Sequence, residues 1–128
     1  MPNMSPQRGI VLFAHGSRDP LWHRPMQAVA ARVQAIEPQA AVVCAYLELT
    51  EPDLPTAAAG LIARGARSVT VVPMFLGVGR HAREDLPALM DALRAAHPAV
   101  AWQLQPAVGE NPALVELLAH IALGEIHR

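Results

Sequence analysis

The chain has 128 residues, one domain's worth, and can bury roughly two thirds of its unfolded surface around a single core. Ten basic residues, all arginine, and 11 acidic ones give a formal net charge of -1; with no run of like charge, there is no electrostatic footprint for nucleic acid or an anionic membrane surface. The single cysteine, Cys44, excludes a disulfide framework or a cysteine-built zinc site within the chain and favours a reducing compartment.

The first predicted strand is "GIVLFA" (9–14), and the apolar residues around it are too few for a signal peptide or a membrane span. The expectation is therefore a cytoplasmic protein of one domain, 1–128, with residues 1–8 as a short flexible tail. The strand runs into "HGSRDP", which puts His15 at its tip. Asp19 before Pro20 marks a helix start, since a side-chain cap followed by proline suits the first turn. Trp22, Met26, Val29, Val33 and Ile36 then recur at three- and four-residue steps, one apolar stripe of a helix.

"AVVCAYL" (41–47) is the second strand and ends in "ELTEPD", with Glu48 at its tip. Leu54, Ala58, Leu61 and Ile62 form the next helical stripe, and Gly65 closes it. "SVTVVPMFL" (68–76) is the third strand. Like the first two it is a near-continuous β-branched apolar run, as expected of parallel strands covered on both faces. It opens through Gly77 and Gly79 to His81. Pro87 is tolerable only near a helix start, so the third helix is expected to begin around 84–87, just after His81, with Leu86, Leu89, Met90 and Leu93 on its apolar side. "VAWQLQ" (100–105) alternates, Val100, Trp102 and Leu104 against Ala101, Gln103 and Gln105, which suits a sheet edge. Asn111 before Pro112 starts a last helix striped by Leu114, Leu117, Leu118 and Ile121.

The order βαβαβαβα describes an open four-stranded parallel sheet with helices on both faces. In such sheets ligands bind outside the carboxyl ends of the strands. His15, Glu48 and His81 all fall there. Two imidazoles and a carboxylate are borderline ligands for a divalent transition metal and would leave coordination positions open for exchange.

Three stretches, "LFAHGSRDP", "AYLELTEPDL" and "GARSVTVVPMFLGVGRHAREDLP", resemble the small, single-domain cobalt chelatases of cobalamin biosynthesis, relatives of sirohydrochlorin ferrochelatase and, more distantly, of protoporphyrin ferrochelatase. The resemblance runs from about residue 9 to residue 118. It implies a chelatase-like, flavodoxin-type half domain that inserts a divalent metal into the tetrapyrrole sirohydrochlorin, with His15 and His81 as metal-binding and proton-accepting residues. Cobalt is the metal it implies; Ni2+ and Fe2+ suit the same ligand types, and no organic cofactor is expected. Glu48 matches a position where relatives also carry an acid, and is equally accounted for as a surface acid ahead of the helix start at 50–53.

The chemistry agrees with that implication. Metallating a tetrapyrrole delivers M2+ while removing two pyrrole protons, so the site needs neutral bases that bind metal loosely, and histidine is the natural side chain. The family's substrate is a polycarboxylate. Arg18, Arg80 and Arg83 flank the histidines and carry forked donors that suit carboxylates; Ser17 joins them as a substrate-binding candidate. Because larger members of the resembled family place two such units around one cleft, a homodimer with facing rims is expected.

The remaining histidines, His23, His97, His120 and His127, lie in or after helical segments without an evident partner and are expected to be structural or solvated. Cys44, Trp22 and Met26 are expected in the core, while Met74 and Phe75 divide between core and pocket. Other functions find less support. Ser5, Ser17 and Ser68 include no nucleophile elbow, Ala14 stands where an R-H-G phosphatase needs arginine, and Gly77 with Gly79 makes no complete phosphate loop. The serious alternative is a metal or tetrapyrrole carrier that uses the same histidines without turnover.

Overall fold

In the computed structural model, which describes residues 8–126, four parallel strands form one sheet: β1 (Arg8–Ala14), β2 (Ala41–Tyr46), β3 (Ser68–Pro73) and β4 (Ala101–Leu104), in the order β2-β1-β3-β4. Arg8 already pairs with Ser68, so the expected tail gives up its last residue to β1; residues 1–7 and His127 lie outside the described residues. Central β1 is buried along its whole length after Arg8, as a strand flanked on both sides must be. Edge strand β4 alternates as expected, with Trp102 and Leu104 half-buried and Ala101 and Gln103 exposed. Strand β3 departs from the expectation of two covered faces: Val69, Val71 and Pro73 are buried, whereas Ser68, Thr70 and Val72 on the other face are only half-buried.

That difference follows from where the helices lie. Helices α2 (Leu54–Ala63) and α3 (Arg80–Ala96) cover one face, where Leu54, Ala58 and Leu61 of α2 and Leu86, Met90 and Leu93 of α3 meet Val11, Phe13, Val69 and Val71. Helix α1 (Arg24–Ile36) covers the other face over β1 and β2, where Met26 joins Ile10, Leu12 and Tyr46. Only Met26 of its stripe is buried, and Val29 and Ile36 are exposed. Helix α4 (Pro112–Ala122) buries no residue at all. No helix among the described residues is long and apolar enough to cross a membrane.

The helix starts show which local signals prevailed. Asp19 accepts from the Leu21 N–H at 2.9 Å, but the turn it caps is a 3₁₀ turn, Pro20–His23, and α1 begins only at Arg24. Trp22 thus stands in that turn, exposed, rather than in the core. Asn111 caps α4 through the Ala113 N–H, as expected. Helix α3 starts at Arg80, earlier than expected, so Pro87 lies inside it. Proline there cannot donate to the carbonyl four residues back; burial of Ala82 and Leu86 before Pro87, and of Met90 and Leu93 after it, holds the helix together.

Asp53 caps α2, accepting from the Thr56 N–H at 2.9 Å. The side-chain and backbone hydrogen bonds from Thr56 hold its carboxyl below the usual value. A depressed carboxyl contributes stability above its unfolded pKa, about 3.9, and loses it as pH falls through the folded value. The Asp53→Ala variant is expected to melt a few degrees below the parent chain at pH 7. The gap should shrink in melts recorded progressively below pH ~4.

Candidate metal and tetrapyrrole site

Strand β1 sends its crossover through α1 to β2 on one side, and the chain then returns through α2 to β3 on the other. The seam between β1 and β3 is therefore the switch point of the sheet, the place where departing loops splay apart and leave room for a ligand. His15 follows β1 immediately, and His81 stands in the first turn of α3 after β3. Both are exposed, as are Glu48, Arg18, Arg80 and Arg83. The placement of His81 inside the helix, rather than ahead of it, follows from the early start of α3. Gly79, its N-cap, has no side chain to occupy the free N–H groups of that first turn.

The backbone around His15 is tightly held. The N–H of Leu47 donates to the Ala14 carbonyl at 2.9 Å and that of Glu48 to the His15 carbonyl at 3.0 Å, so the β1–β2 ladder continues to the site itself. Gly16 then turns the chain at φ 103°, and a Cβ there would lie 1.9 Å from the Glu48 carbonyl oxygen. Opposite it, Leu49 holds φ 69° and the Thr50 N–H donates back to the Glu48 carbonyl at 2.8 Å, a tight turn that non-glycine residues adopt at a cost. The Glu48 side chain borders a hollow of about 230 Å³ together with Thr50, Glu51 and Asp53. Among the described residues no three His, Cys, Asp or Glu side chains come together as a metal-binding group. The three expected donors share a rim but do not form a three-ligand site within one chain.

Two residues anchor the site through contacts that the motifs did not reveal. Phe75, buried, sets its ring 4.5 Å from that of His15, centroid to centroid, and also packs edge-on to Phe13. The loop that leads to His81 thereby fixes the other histidine. Met74 takes the opposite face, half-buried. His23, expected to lack a partner, has two: its Nε2 lies 2.7 Å from the Ser17 carbonyl oxygen and its Nδ1 3.2 Å from the Tyr46 hydroxyl. His23 thus ties the HGSR loop to the end of β2. Burial pushes the Tyr46 phenol up to about 12, so it remains protonated. Burial likewise raises the half-buried Cys44 thiol, which fits a packing role. His97 stacks near Trp102, and His120 pairs with Glu116 at 3.1 Å.

The substrate-binding candidates differ in how free they are. The Ser17 hydroxyl oxygen accepts from the Asp19 N–H at 3.0 Å and so shapes its own loop. Arg80 is engaged by Glu84 at 3.2 Å, whereas Arg18 and Arg83 form no ion pair among the described residues. The loops after β2 and β3 also carry Leu47, Leu49 and Leu76, all exposed. The rim therefore presents apolar surface together with imidazole and guanidinium groups.

A parallel α/β unit with two histidines flanking its switch point has the architecture of a chelatase-type domain. Residues 9–122 match the CbiX family model, and the chain belongs to the CbiX family. Among similar solved structures, the CbiX protein of Marinobacter aquaeolei VT8 is 36% identical, with a TM-score of 0.77 over 92% of this chain and 93% of that one. The cobalt-bound sirohydrochlorin chelatase SirB of Bacillus subtilis subspecies spizizenii shares the fold, with a TM-score of 0.77 at 23% identity over 92% of this chain and 50% of that one. Curated relatives named sirohydrochlorin cobaltochelatase include those of Methanocaldococcus jannaschii, 33% identical over 88 residues, and Methanococcus aeolicus, 32% identical over 81 residues. The matched segments cover 69% and 63% of this chain and 62% and 57% of those relatives, less than two thirds of either relative's length.

Proposed function

We propose that this chain inserts a divalent metal, Co2+ foremost, into sirohydrochlorin, and that it works in the cytoplasm as a homodimer with the two strand-end rims facing each other. The observation that carries this reading is the pair of exposed imidazoles on either side of the switch point of a CbiX-family chain. Their surroundings support it. A tetrapyrrole is a flat macrocycle that needs apolar contact on its faces and cations for its carboxylates, and the segments after the strands expose both Leu47, Leu49 and Leu76 and Arg18, Arg80 and Arg83.

The reaction exchanges one M2+ for two protons. A neutral imidazole nitrogen offers one lone pair, which binds either the metal or a proton. As the metal passes to the tetrapyrrole, the lone pair it vacates on His15 or His81 can accept a pyrrole proton, so each histidine serves both halves of the exchange. In this scheme Glu48, exposed at the end of β2, receives protons onward, and Glu48→Gln should slow turnover less than loss of either histidine. Ser17, through its loop, and the arginines orient the substrate, and the scheme requires no organic cofactor.

Arg18→Ala and Arg83→Ala are each expected to raise KM by about ten-fold with kcat little changed, since a charge-assisted carboxylate contact binds substrate and transition state nearly alike. Arg80→Ala should do less, because Glu84 already engages that guanidinium. Steady-state assays over a range of sirohydrochlorin concentrations separate the two effects. The function itself is tested by following the absorption change of sirohydrochlorin anaerobically with Co2+, Ni2+ and Fe2+ in turn. Insertion with Co2+ fastest agrees with the proposal. Absence of insertion with every metal would overturn it.

A further inference from the structure

The exchange of metal for protons makes no use of His23, yet this histidine is built into the rim. It closes the 3₁₀ turn Pro20–His23 and is half-buried there. Its ring meets those of Trp22 and Tyr46 edge-on, each at 5.0 Å between centroids. Tyr46 is buried at the end of β2 and so offers a fixed point. Both ring nitrogens of His23 are engaged, Nε2 at 2.7 Å from the Ser17 carbonyl oxygen and Nδ1 at 3.2 Å from the Tyr46 hydroxyl. A carbonyl can only accept, so Nε2 carries the hydrogen and donates it; in the uncharged ring Nδ1 then accepts from the Tyr46 hydroxyl.

The group that His23 grips is the peptide leading into Arg18. The Ser17 carbonyl belongs to the planar Ser17–Arg18 unit, and a hydrogen bond to its oxygen fixes the plane from which Arg18 departs. On the far side of Arg18, the Asp19 N–H donates to the Ser17 hydroxyl at 3.0 Å, and the Asp19 carboxylate accepts from the Leu21 N–H at 2.9 Å. Arg18 is thus braced on both sides by its backbone, while its own side chain is exposed and forms no ion pair among the described residues. A guanidinium braced in this way loses less freedom when it takes hold of a carboxylate.

His15 does not depend on the same brace. Its carbonyl accepts from the Glu48 N–H and its ring rests on Phe75. The hydrogen bonds of His23 therefore bear on the substrate-holding part of the loop rather than on the metal-holding part.

We infer that His23 is a positioning residue for the substrate: by tying the Ser17–Arg18 peptide to Tyr46, it sets how tightly Arg18 holds a carboxylate of the tetrapyrrole. This rests on the proposed function only in requiring that the rim bind sirohydrochlorin, and it does not depend on the metal or on turnover.

The test is titration of the metal-free full chain with sirohydrochlorin, read by its absorption, alongside steady-state KM and kcat. His23→Phe keeps a flat ring beside Trp22 and Tyr46 but has no donor for Ser17. It should raise Kd and KM by up to about ten-fold with kcat little changed, the pattern expected of Arg18→Ala. His23→Gln, which restores a donor near the Nε2 position, should recover most of the affinity. His23→Phe combined with Arg18→Ala should bind no more weakly than Arg18→Ala alone, because both remove the same contact. A merely structural histidine would instead lower Tm and kcat, and its effect on Kd would multiply with that of Arg18→Ala. Parental Kd in His23→Phe or in Arg18→Ala, or multiplication of the two effects, overturns the inference. Should His23→Phe fold poorly, Tyr46→Phe decides: a Kd raised a few-fold and again not multiplying with Arg18→Ala supports it, and a parental Kd overturns it. A parent chain that binds sirohydrochlorin without turnover contradicts metal insertion and leaves the titration to judge His23; one that does not bind it overturns both.

Discussion

Replacing His15 or His81 by alanine is expected to lower the rate of metal insertion by about 10² to 10⁴-fold, the usual consequence of removing a positioned base. The melting temperature should stay close to that of the parent chain. Both side chains are exposed at strand ends and neither anchors the core, so the loss would be chemical rather than structural. His15→Ala removes a ring that rests on Phe75, and a small change in local packing is expected there; the His81 side chain makes no hydrogen bond or ring contact among the described residues. The pair therefore serves as its own control, and His81→Ala with parental turnover and an unchanged melt would reduce His81 to a loop residue.

Gly16→Ala is expected to disrupt both the fold and the rim. Alanine at φ 103° costs on the order of 1–3 kcal/mol in backbone strain alone. The added Cβ would also sit 1.9 Å from the Glu48 carbonyl oxygen and 3.2 Å from the Tyr46 Cβ, so the ends of β1 and β2 must separate. Separation breaks the hydrogen bonds that continue the ladder past Ala14 and displaces His15 and Ser17 together. A fall of roughly 10 °C in Tm with near-complete loss of insertion is expected, read by thermal melts and the absorption assay on the same preparation. Gly60→Ala provides the contrast: a Cβ there meets nothing within 4 Å, and alanine favours the interior of α2, so Tm should hold or rise slightly. A Gly16→Ala chain that melted like the parent would show that the tight HGSR turn does not set the rim.

Much of this architecture was legible in the residue pattern. The three β-branched runs and the alternating fourth became four parallel strands in the expected places, and the residues at their carboxyl ends reached one rim because parallel strands all point the same way. What escaped was long-range. Periodicity placed helix α4 but gave no sign that its stripe, Leu114, Leu117, Leu118 and Ile121, would be left unburied. The stripe from Trp22 to Ile36 read as one helix because a 3₁₀ turn has nearly the same spacing as an α-helical one, and only the packing of Met26 tells them apart. Pro87 pointed to a helix start, since the cost of a missing N–H is local, while the burial of Ala82 and Leu86 that outweighs it depends on the sheet beneath. His23 lacked an evident partner because its two partners, Ser17 and Tyr46, are brought to it by the turn and by β2. Phe75 and Met74 were expected to divide between core and pocket, and they take opposite faces, but the contact of Phe75 with His15 could not be read from the sequence.

The account stands or falls on catalytic turnover at the histidine rim. The most direct measurement supplies limiting chain, at about one hundredth of the sirohydrochlorin concentration, with Co2+ under anaerobic conditions, and follows the absorption change to completion. The expected result is conversion of many equivalents of sirohydrochlorin per chain, abolished in the His15→Ala and His81→Ala variants. Conversion that stops at one equivalent or fewer, with the metallated product retained on the protein, would contradict it and identify a carrier.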